Sequence, residues 1–356
     1  MENPVSSSEV VRVSNLKKYF PVEKGVLQRV SGNVKAVDDV SFVIYQGETL
    51  GMVGESGCGK STIGKAILRA FPITSGQIVY YFDGSPIDVS QSSIRELRGN
   101  GFRRRTQMIF QDPNSSLDPR MTVLDLISEP LAADGSFKSR EIKDRVAYLM
   151  DRVGLDHRYM KRYPHAFSGG QRQRISIARA LSTNPRFIVA DEPTSALDVS
   201  IQAQILNLMI ELQQEFKLTY LFVSHNLGVI RHVSDRIAVT YLGRIVELAK
   251  NEDLFERPRH PYTAALLRSI PLADPTIESG LEAAPGEIGN SLNPPPGCSF
   301  HPRCAFATDA CRQDVPTLQD AGNEHFVACH HAAEISLEGI KNRGTGIARV
   351  KWTAVV

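Results

Sequence analysis

The run Gly54-Glu55-Ser56-Gly57-Cys58-Gly59-Lys60-Ser61-Thr62 places three glycines ahead of one lysine and two hydroxyls. It fits the pattern G-x-x-x-x-G-K-[ST], in which glycines let backbone N–H groups curl around phosphate oxygens. Lys60 would reach the β- and γ-phosphates, and Ser61 would set a hydroxyl on Mg²⁺. The bland alternative is a glycine turn joining a strand to a helix. Context argues against it. An apolar strand pattern ends at the loop, and a helical one follows through Ile63, Ala66, Ile67 and Leu68. A helix N-terminus adds its own attraction for anions.

A second chemistry-bearing pair closes another apolar run, "RFIVADEP", which ends in Asp191 and Glu192. One carboxylate at a strand tip can hold Mg²⁺, and its neighbour can polarise the water that attacks a γ-phosphate. Alone, two acids after a hydrophobic run are more often a solvated strand end; downstream of a phosphate loop they become a strong signal. Ser168-Gly169-Gly170-Gln171 offers a third feature, a hydroxyl and glycine amides at the start of the helical pattern "SGGQRQRISIARAL". One nucleotide cannot use both helix starts within one monomer. A head-to-tail dimer resolves this, each nucleotide lying between one chain's glycine loop and the other's serine-glycine start.

The elements that must position these groups alternate between strand and helix. Residues 9–53 read as strands, with Val37, Val40, Phe42 and Ile44 supplying β character. Residues 122–160 read as largely helical, and "SIQAQILNLMIELQQEF" puts Ile201, Ile205, Leu208 and Leu212 on one face. "LTYLFVSH" reads as another buried strand. The expected class is α/β, a mainly parallel sheet with flanking helices. From Ala273 to Gly297 the chain is rich in proline and glycine without periodicity, which suits a linker.

Composition narrows the field. A chain of 356 residues can bury a full core, and 42% hydrophobic with 22% charged residues is ordinary for a soluble globular protein. A net charge of +2 argues against a protein devoted to nucleic acid. No apolar run approaches the ~18 residues that cross a bilayer, and no secretory signal is visible, so the expectation is a cytoplasmic polypeptide. The basic run with Arg95, Arg98 and Arg103 to Arg105 is expected to be a solvated face. Cys58 inside the loop is expected to be a small filler, with a redox role as the lesser alternative.

Cys298, Cys304, Cys311 and Cys329 are spaced C-x5-C-x6-C-x17-C. In a reducing compartment such crowding reads as metal binding before disulfides. Four thiolates can close around one metal centre. Structural zinc lacks its usual close cysteine pairs here, though His301, His325, His330 and His331 leave mixed ligation open. Free buried cysteines in a small domain are the remaining reading.

Five stretches, "GESGCGKST", "IFQDP", "FSGGQRQR", "FIVADEPTSALD" and "LFVSHN", stand in one order over residues 10–265, and together they resemble the ATPase subunit of ABC transporters. The phrases "LKKYFPV", "QMIFQDPNSSLDPRMTV" and "HPYTAALLRSIP" resemble in particular the dipeptide/oligopeptide importer ATPases, favouring the second of their two paired subunits. One departure is Phe167, where leucine is commoner.

The resemblance implies a P-loop NTPase fold of the ABC type over residues 8–265, with an antiparallel β subdomain and a helical subdomain at about 112–175. A cysteine-rich C-terminal extension would occupy 266–356, its cluster spanning 298–329, and the family favours a [4Fe–4S] cluster there with zinc as the alternative. It implies ATP and Mg²⁺ as ligands, Glu192 as general base and Asp191 as the metal-side carboxylate. Gln111 would reach Mg²⁺ and the attacking water, and His225 the γ-phosphate. Ser168 to Gln171 would serve the opposite nucleotide, with Asp198 at the dimer seam. The adenine platform would be Phe20, or else Tyr19.

The implied partners are a paired homologous ATPase subunit, two transmembrane permeases and an extracytoplasmic peptide-binding protein, with no nucleic acid. The implied location is peripheral, on the cytoplasmic face of the inner membrane. Two rivals remain: a soluble ABC-type ATPase acting on ribosomes or DNA, and an importer for nickel or another small solute.

Overall fold

Near-continuous runs of β-branched and aromatic residues form buried strands, and amphipathic runs form the helices between them. In a computed structural model, which describes residues 9–24, 29–82, 84–135, 138–269 and 289–340, the chain begins with β1 (Glu9–Lys24), β2 (Arg29–Tyr45), β3 (Thr49–Val53) and α1 (Lys60–Ile67). There follow β4 (Ser75–Phe82), β5 (Ser85–Asp88), α2 (Ile94–Gly99), α3 (Phe102–Arg105) and β6 (Thr106–Ile109). A strand-free stretch holds α4 (Pro113–Ser116), α5 (Val123–Asp134), α6 (Ser139–Arg152) and α7 (Gly169–Leu181). Next come β7 (Phe187–Asp191), α8 (Val199–Phe216), β8 (Thr219–Val223), α9 (Leu227–Val233), β9 (Arg236–Tyr241) and β10 (Arg244–Lys250). The described chain closes with α10 (Asn251–Glu256), α11 (Pro261–Arg268), α12 (Asp309–Gln313), β11 (Gln319–Asp320) and β12 (Phe326–Val327). The linker expected at 273–297 falls mostly outside the described residues.

The chain divides into two compact units, one of residues 9–14, Phe42–Thr49 and Gly64–Val223, the other of Asn15–Ser41, Leu50–Ile63 and the described residues from Ser224 on. In the first, β6, β7 and β8 run parallel, Ile188 registering with Gln107 on one side and Tyr220 on the other. Every residue of β7 and β8 is buried, as parallel strands covered on both faces must be. The β4–β5 hairpin is antiparallel, and Tyr80 packs against Phe82, Phe102 and Phe187 while its hydroxyl donates to Ile67 O at 2.9 Å. Thr122 and Asp125 form a capping box that starts α5. Arg179 of α7 bonds Ser116 O at 2.9 Å and pairs with Glu129 of α5.

One expectation changes. The basic run is only partly a solvated face: the half-buried Arg103 guanidinium donates to Leu68 O at 2.7 Å and to Arg69 O at 2.9 Å. Those carbonyls follow the end of α1 and have no helical partner of their own. Charge supplied from another segment satisfies them.

In the second unit, β9 lies parallel to β3 and antiparallel to β10, and β10 pairs antiparallel with β12. A bulge interrupts β10 between Ile245 and Glu247. Glu247 is fully buried and accepts from Arg259 N at 2.7 Å, His260 N at 3.0 Å and His325 Nε2 at 2.6 Å. A buried carboxylate needs such donors, since each unmet lone pair would cost free energy. His260 caps α11, its Nδ1 accepting Tyr262 N–H at 3.1 Å. Burial pushes His260 down to about 4, with Glu247 opposing the shift.

An imidazole that accepts a bond at Nδ1 must be unprotonated there. The folded value lies below the ordinary 6.5, so the unfolded chain binds more protons between the two, and stability is lost as pH falls from about 6.5 towards 4. Replacing His260 with Asn, which can still cap the helix, should flatten that limb in urea melts compared at pH 7 and pH 5. An identical pH dependence in the variant would refute the assignment.

Candidate functional site

The strand β3 delivers the chain into the glycine loop, and the loop is shaped by what lies behind it. Gly59 has φ +98°, and a Cβ there would stand 2.1 Å from Ala36 O, so only glycine fits. Gly243 N donates to Cys58 O at 2.9 Å and Asp38 N to Gly243 O at 2.8 Å, binding the loop to the segment 36–38. Ile63 N bonds Gly59 O at 2.9 Å, which begins the helix that carries Ser61 and Thr62. Lys60 is buried, and its ammonium donates to Gly54 O at 2.8 Å and Glu55 O at 3.0 Å. Cys58 is buried too; its Sγ lies 3.0 Å from Thr240 Oγ1, whose proton goes to Val53 O at 3.0 Å. The thiol is therefore the donor, a small packed group in line with the filler reading. Glu55 N donates to Tyr262 Oη at 2.9 Å.

The two aromatic candidates are treated differently. Tyr19 donates its hydroxyl to Asp38 Oδ1 at 2.5 Å, and Asp38 also receives Arg244 Nη2 at 2.6 Å. Burial and that hydrogen bond push Tyr19 up to about 12. Burial would raise Asp38, but Tyr19 and Arg244 outweigh it and hold the carboxyl below its ordinary value. Phe20 is instead exposed, with Lys18 Nζ 4.7 Å from its ring centroid. His225 is exposed in the turn before α9.

Within the first unit, Asp191 is buried at the end of β7. Glu192 follows in the left-handed region at φ +45°, its N–H bonded to Val223 O at 2.9 Å. Such a conformation costs a non-glycine residue about 1–3 kcal/mol and persists where surroundings over-determine it. Gln111 Nε2 donates to Glu192 Oε2 at 2.9 Å, so two residues 81 positions apart meet. Asp198 is exposed at the start of α8 and makes no side-chain cap.

Ser168 and Gln171 form a capping box: Ser168 Oγ accepts Gln171 N–H at 3.3 Å, and Gln171 Oε1 accepts Ser168 N–H at 3.0 Å. The serine hydroxyl keeps its proton for a further acceptor. A Cβ on Gly170 would sit 2.6 Å from Ile201 Cγ2, so α7 and α8 approach as closely as glycine allows.

Cys298, Cys304, Cys311 and Cys329 are free thiols that line one small cavity together with Phe300 and Phe306. Burial raises Cys298 and Cys304 and pushes Cys329 up to about 11. At Cys311 the upward effect of burial is outweighed by Thr308 and His331, and the value falls. Among the described residues, no group of three or more His, Cys, Asp or Glu is arranged to hold one metal ion. The expected metal centre thus has convergent sulfurs but no ready-made ion site. Sequence reasoning missed Tyr262, Thr240, Asp38, Arg244 and Arg303 as neighbours of the site, because they lie far from the loop along the chain and share no spacing with it.

Residues 37–195 match the family described as ABC transporter, and 246–311 match the oligopeptide/dipeptide transporter C-terminal region. The chain is 50% identical to the oligopeptide transport ATP-binding protein AppF of Bacillus subtilis, covering 90% of this chain and 97% of that one. It is 46% identical to the probable peptide ABC transporter ATP-binding protein y4tS of Sinorhizobium fredii, covering 91% and 90%. Among solved structures, the dimeric post-hydrolysis ATP-binding cassette MJ0796 bound to ADP and Pi is similar with a TM-score of 0.58 and 31% identity, over 68% of this chain and 98% of that chain. The structure of cbiO1 from Clostridium perfringens, part of the ABC transporter complex cbiONQ, gives 0.57 and 26%, over 70% and 91%.

The contact between α7 and α8 can be tested by itself. Gly170→Ala should lower the stability of the folded chain by about 1–3 kcal/mol through overpacking, and adding Ile201→Leu, which removes the Cγ2 branch that meets the new methyl, should recover part of the loss in denaturant melts. Wild-type stability in Gly170→Ala would show that the helices have room to spare.

Proposed function

The chain belongs to the ABC transporter ATP-binding family, and from that premise we propose that it is the ATP-hydrolysing subunit of a di- or oligopeptide importer. Two observations carry this reading, each within its own unit: a phosphate loop holding a buried lysine, and a strained Glu192 bonded to Gln111. Half-identity to an oligopeptide transport ATP-binding protein along nearly its whole length supports the cargo class. The names of the similar curated proteins refer to transport or import of peptides, which favours this over a ribosome- or DNA-directed ATPase and over nickel.

In the proposed mechanism the loop amides up to Thr62, other than that of Glu55, and the Lys60 ammonium take the β- and γ-phosphates, and an exposed Phe20 stacks on adenine. Glu192 draws the proton from the attacking water while Gln111 orients it, and His225 binds the γ-phosphate. Ser61, Asp191 and Gln111 offer the hard oxygen donors that suit Mg²⁺, which neutralises phosphate charge when bound. Ser168 to Gln171 and Asp198 serve the nucleotide of a paired ATPase subunit, so hydrolysis needs the dimer. The solved cassette MJ0796 is itself dimeric.

No helix among the described residues is long and apolar enough to cross a membrane, and we place the subunit on the cytoplasmic face, held by two permeases that receive peptide from an external binding protein. A groove of ≈ 840 Å³ in the first unit, lined by Ile94, Leu97, Arg98, Phe110 and Pro130, would take a cytoplasmic segment of a permease. Ile94 and Phe110 are exposed large apolar residues there, the kind of surface that marks a docking site. The four cysteines would hold a structural [4Fe–4S] cluster. Four soft sulfur donors converging on one cavity would suit such a cluster.

Two measurements test this. Glu192→Gln should cut ATP turnover at least about a hundredfold while nucleotide binding persists; retained turnover would remove Glu192 as the base. Ile94→Asp should reduce co-purification of the permeases and peptide uptake in vesicles without changing nucleotide affinity, and unchanged co-purification would displace the groove as the docking surface.

A further inference from the structure

Arg303 lies between His301 and Cys304 in the C-terminal extension, yet its side chain reaches the phosphate loop of the same unit and is almost fully buried. Its guanidinium grips Glu55 with both forks, Nη1 to Oε2 at 2.8 Å and Nη2 to Oε1 at 3.0 Å. Glu55 is the second residue of the phosphate loop. The planar pair is the strongest geometry a carboxylate and a guanidinium adopt. The same loop residue is fixed twice more: its N–H by Tyr262 Oη at 2.9 Å, and its carbonyl by Lys60 Nζ at 3.0 Å. Tyr262, Tyr241 and Phe300 pack as one aromatic group, with centroids 4.7–5.4 Å apart, against which the Arg303 guanidinium rests. Side chain, amide and carbonyl of one loop residue are thus each held by a different group.

The charge matters as much as the position. A carboxylate next to a loop that must receive a polyphosphate would repel it. Arg303 cancels that charge at contact distance without entering the phosphate cradle.

We infer that Arg303, with Tyr262, is a positioning residue for nucleotide binding, so that the C-terminal extension sets the affinity of the phosphate loop by orienting and neutralising Glu55. This rests on the nucleotide-binding reading above. It predicts an effect on binding and KM rather than on kcat, because the reacting water and its base lie with other residues.

The experiment is equilibrium binding of a fluorescent ATP analogue to the full-length chain, with KM and kcat for ATP measured in the assembled transporter. Arg303→Met should raise the dissociation constant and KM about tenfold and leave kcat near wild type, since it exposes a bare carboxylate beside the phosphates. Glu55→Gln should have a smaller effect. The double variant Arg303→Met with Glu55→Gln should bind like Glu55→Gln alone, recovering most of what Arg303→Met lost. Arg303→Lys, which keeps the charge without the fork, should fall between. If Arg303→Met proves unstable in a thermal melt, Glu55→Gln and Arg303→Lys carry the test, because both preserve volume. Wild-type affinity in all Arg303 variants, or a double variant as weak as Arg303→Met, overturns the inference. A failure of the nucleotide-binding reading looks different: the unaltered chain would show no specific analogue binding to lose, or Lys60→Ala would bind the analogue as well as the unaltered chain does.

Discussion

A loop that cradles phosphate must keep most of its amide donors unspent, and a segment with so little internal bonding has to be held from outside. Here that support comes from four distant parts of the chain. Ala36 crowds Gly59 from one side, and Gly243 bonds the carbonyl of Cys58. Thr240 links Val53 to the thiol, and Tyr262 and Arg303 hold Glu55. Lys60 bonds the loop's own carbonyls. The first unit shows the same economy around Glu192, whose left-handed backbone is maintained by one bond to β8 and whose carboxylate is met by Gln111. At Glu192, the proposed base, the left-handed backbone directly follows a strand buried along its whole length.

The features legible in the sequence were those in which chemistry and element boundary coincide. Glycines, lysine and hydroxyls in eight adjacent positions announce a phosphate loop because its bonding is made by consecutive residues. The runs at Phe187–Asp191 and Thr219–Val223 read as buried strands because burial on both faces leaves no polar alternation. What stayed hidden was side-chain partnership across long separations. Glu55 and Arg303 are 248 positions apart, and nothing in a single sequence marks two ordinary charges as a pair. Tyr19 and Phe20 are neighbours of similar type, and only the contact with Asp38 separates a committed hydroxyl from an exposed ring. The basic run was misjudged for the same reason. The carbonyls that Arg103 satisfies belong to a helix end more than thirty residues earlier.

The cysteines show the opposite limit. Their crowding was visible at once, and the fold does bring all four to one cavity. Yet three of them are shifted towards the protonated thiol by burial, and a bare set of such groups does not choose its own ligand. Spacing reveals that sulfurs converge; it does not reveal how far apart they stand when they do.

The join between β10 and β12 has a practical meaning. Those few residues of the extension occupy one side of β10 and bring His325 onto the buried Glu247. The domain boundary expected near residue 265 invites an experimenter to trim the chain there and express the cassette alone. The trimmed protein would bare a ribbon of unpaired amides and carbonyls, with an acidic group sealed beneath it left with two of its three donors. Open ribbons of that kind recruit one another. Clumping in such a preparation would then report a missing hem rather than a poorly folded core.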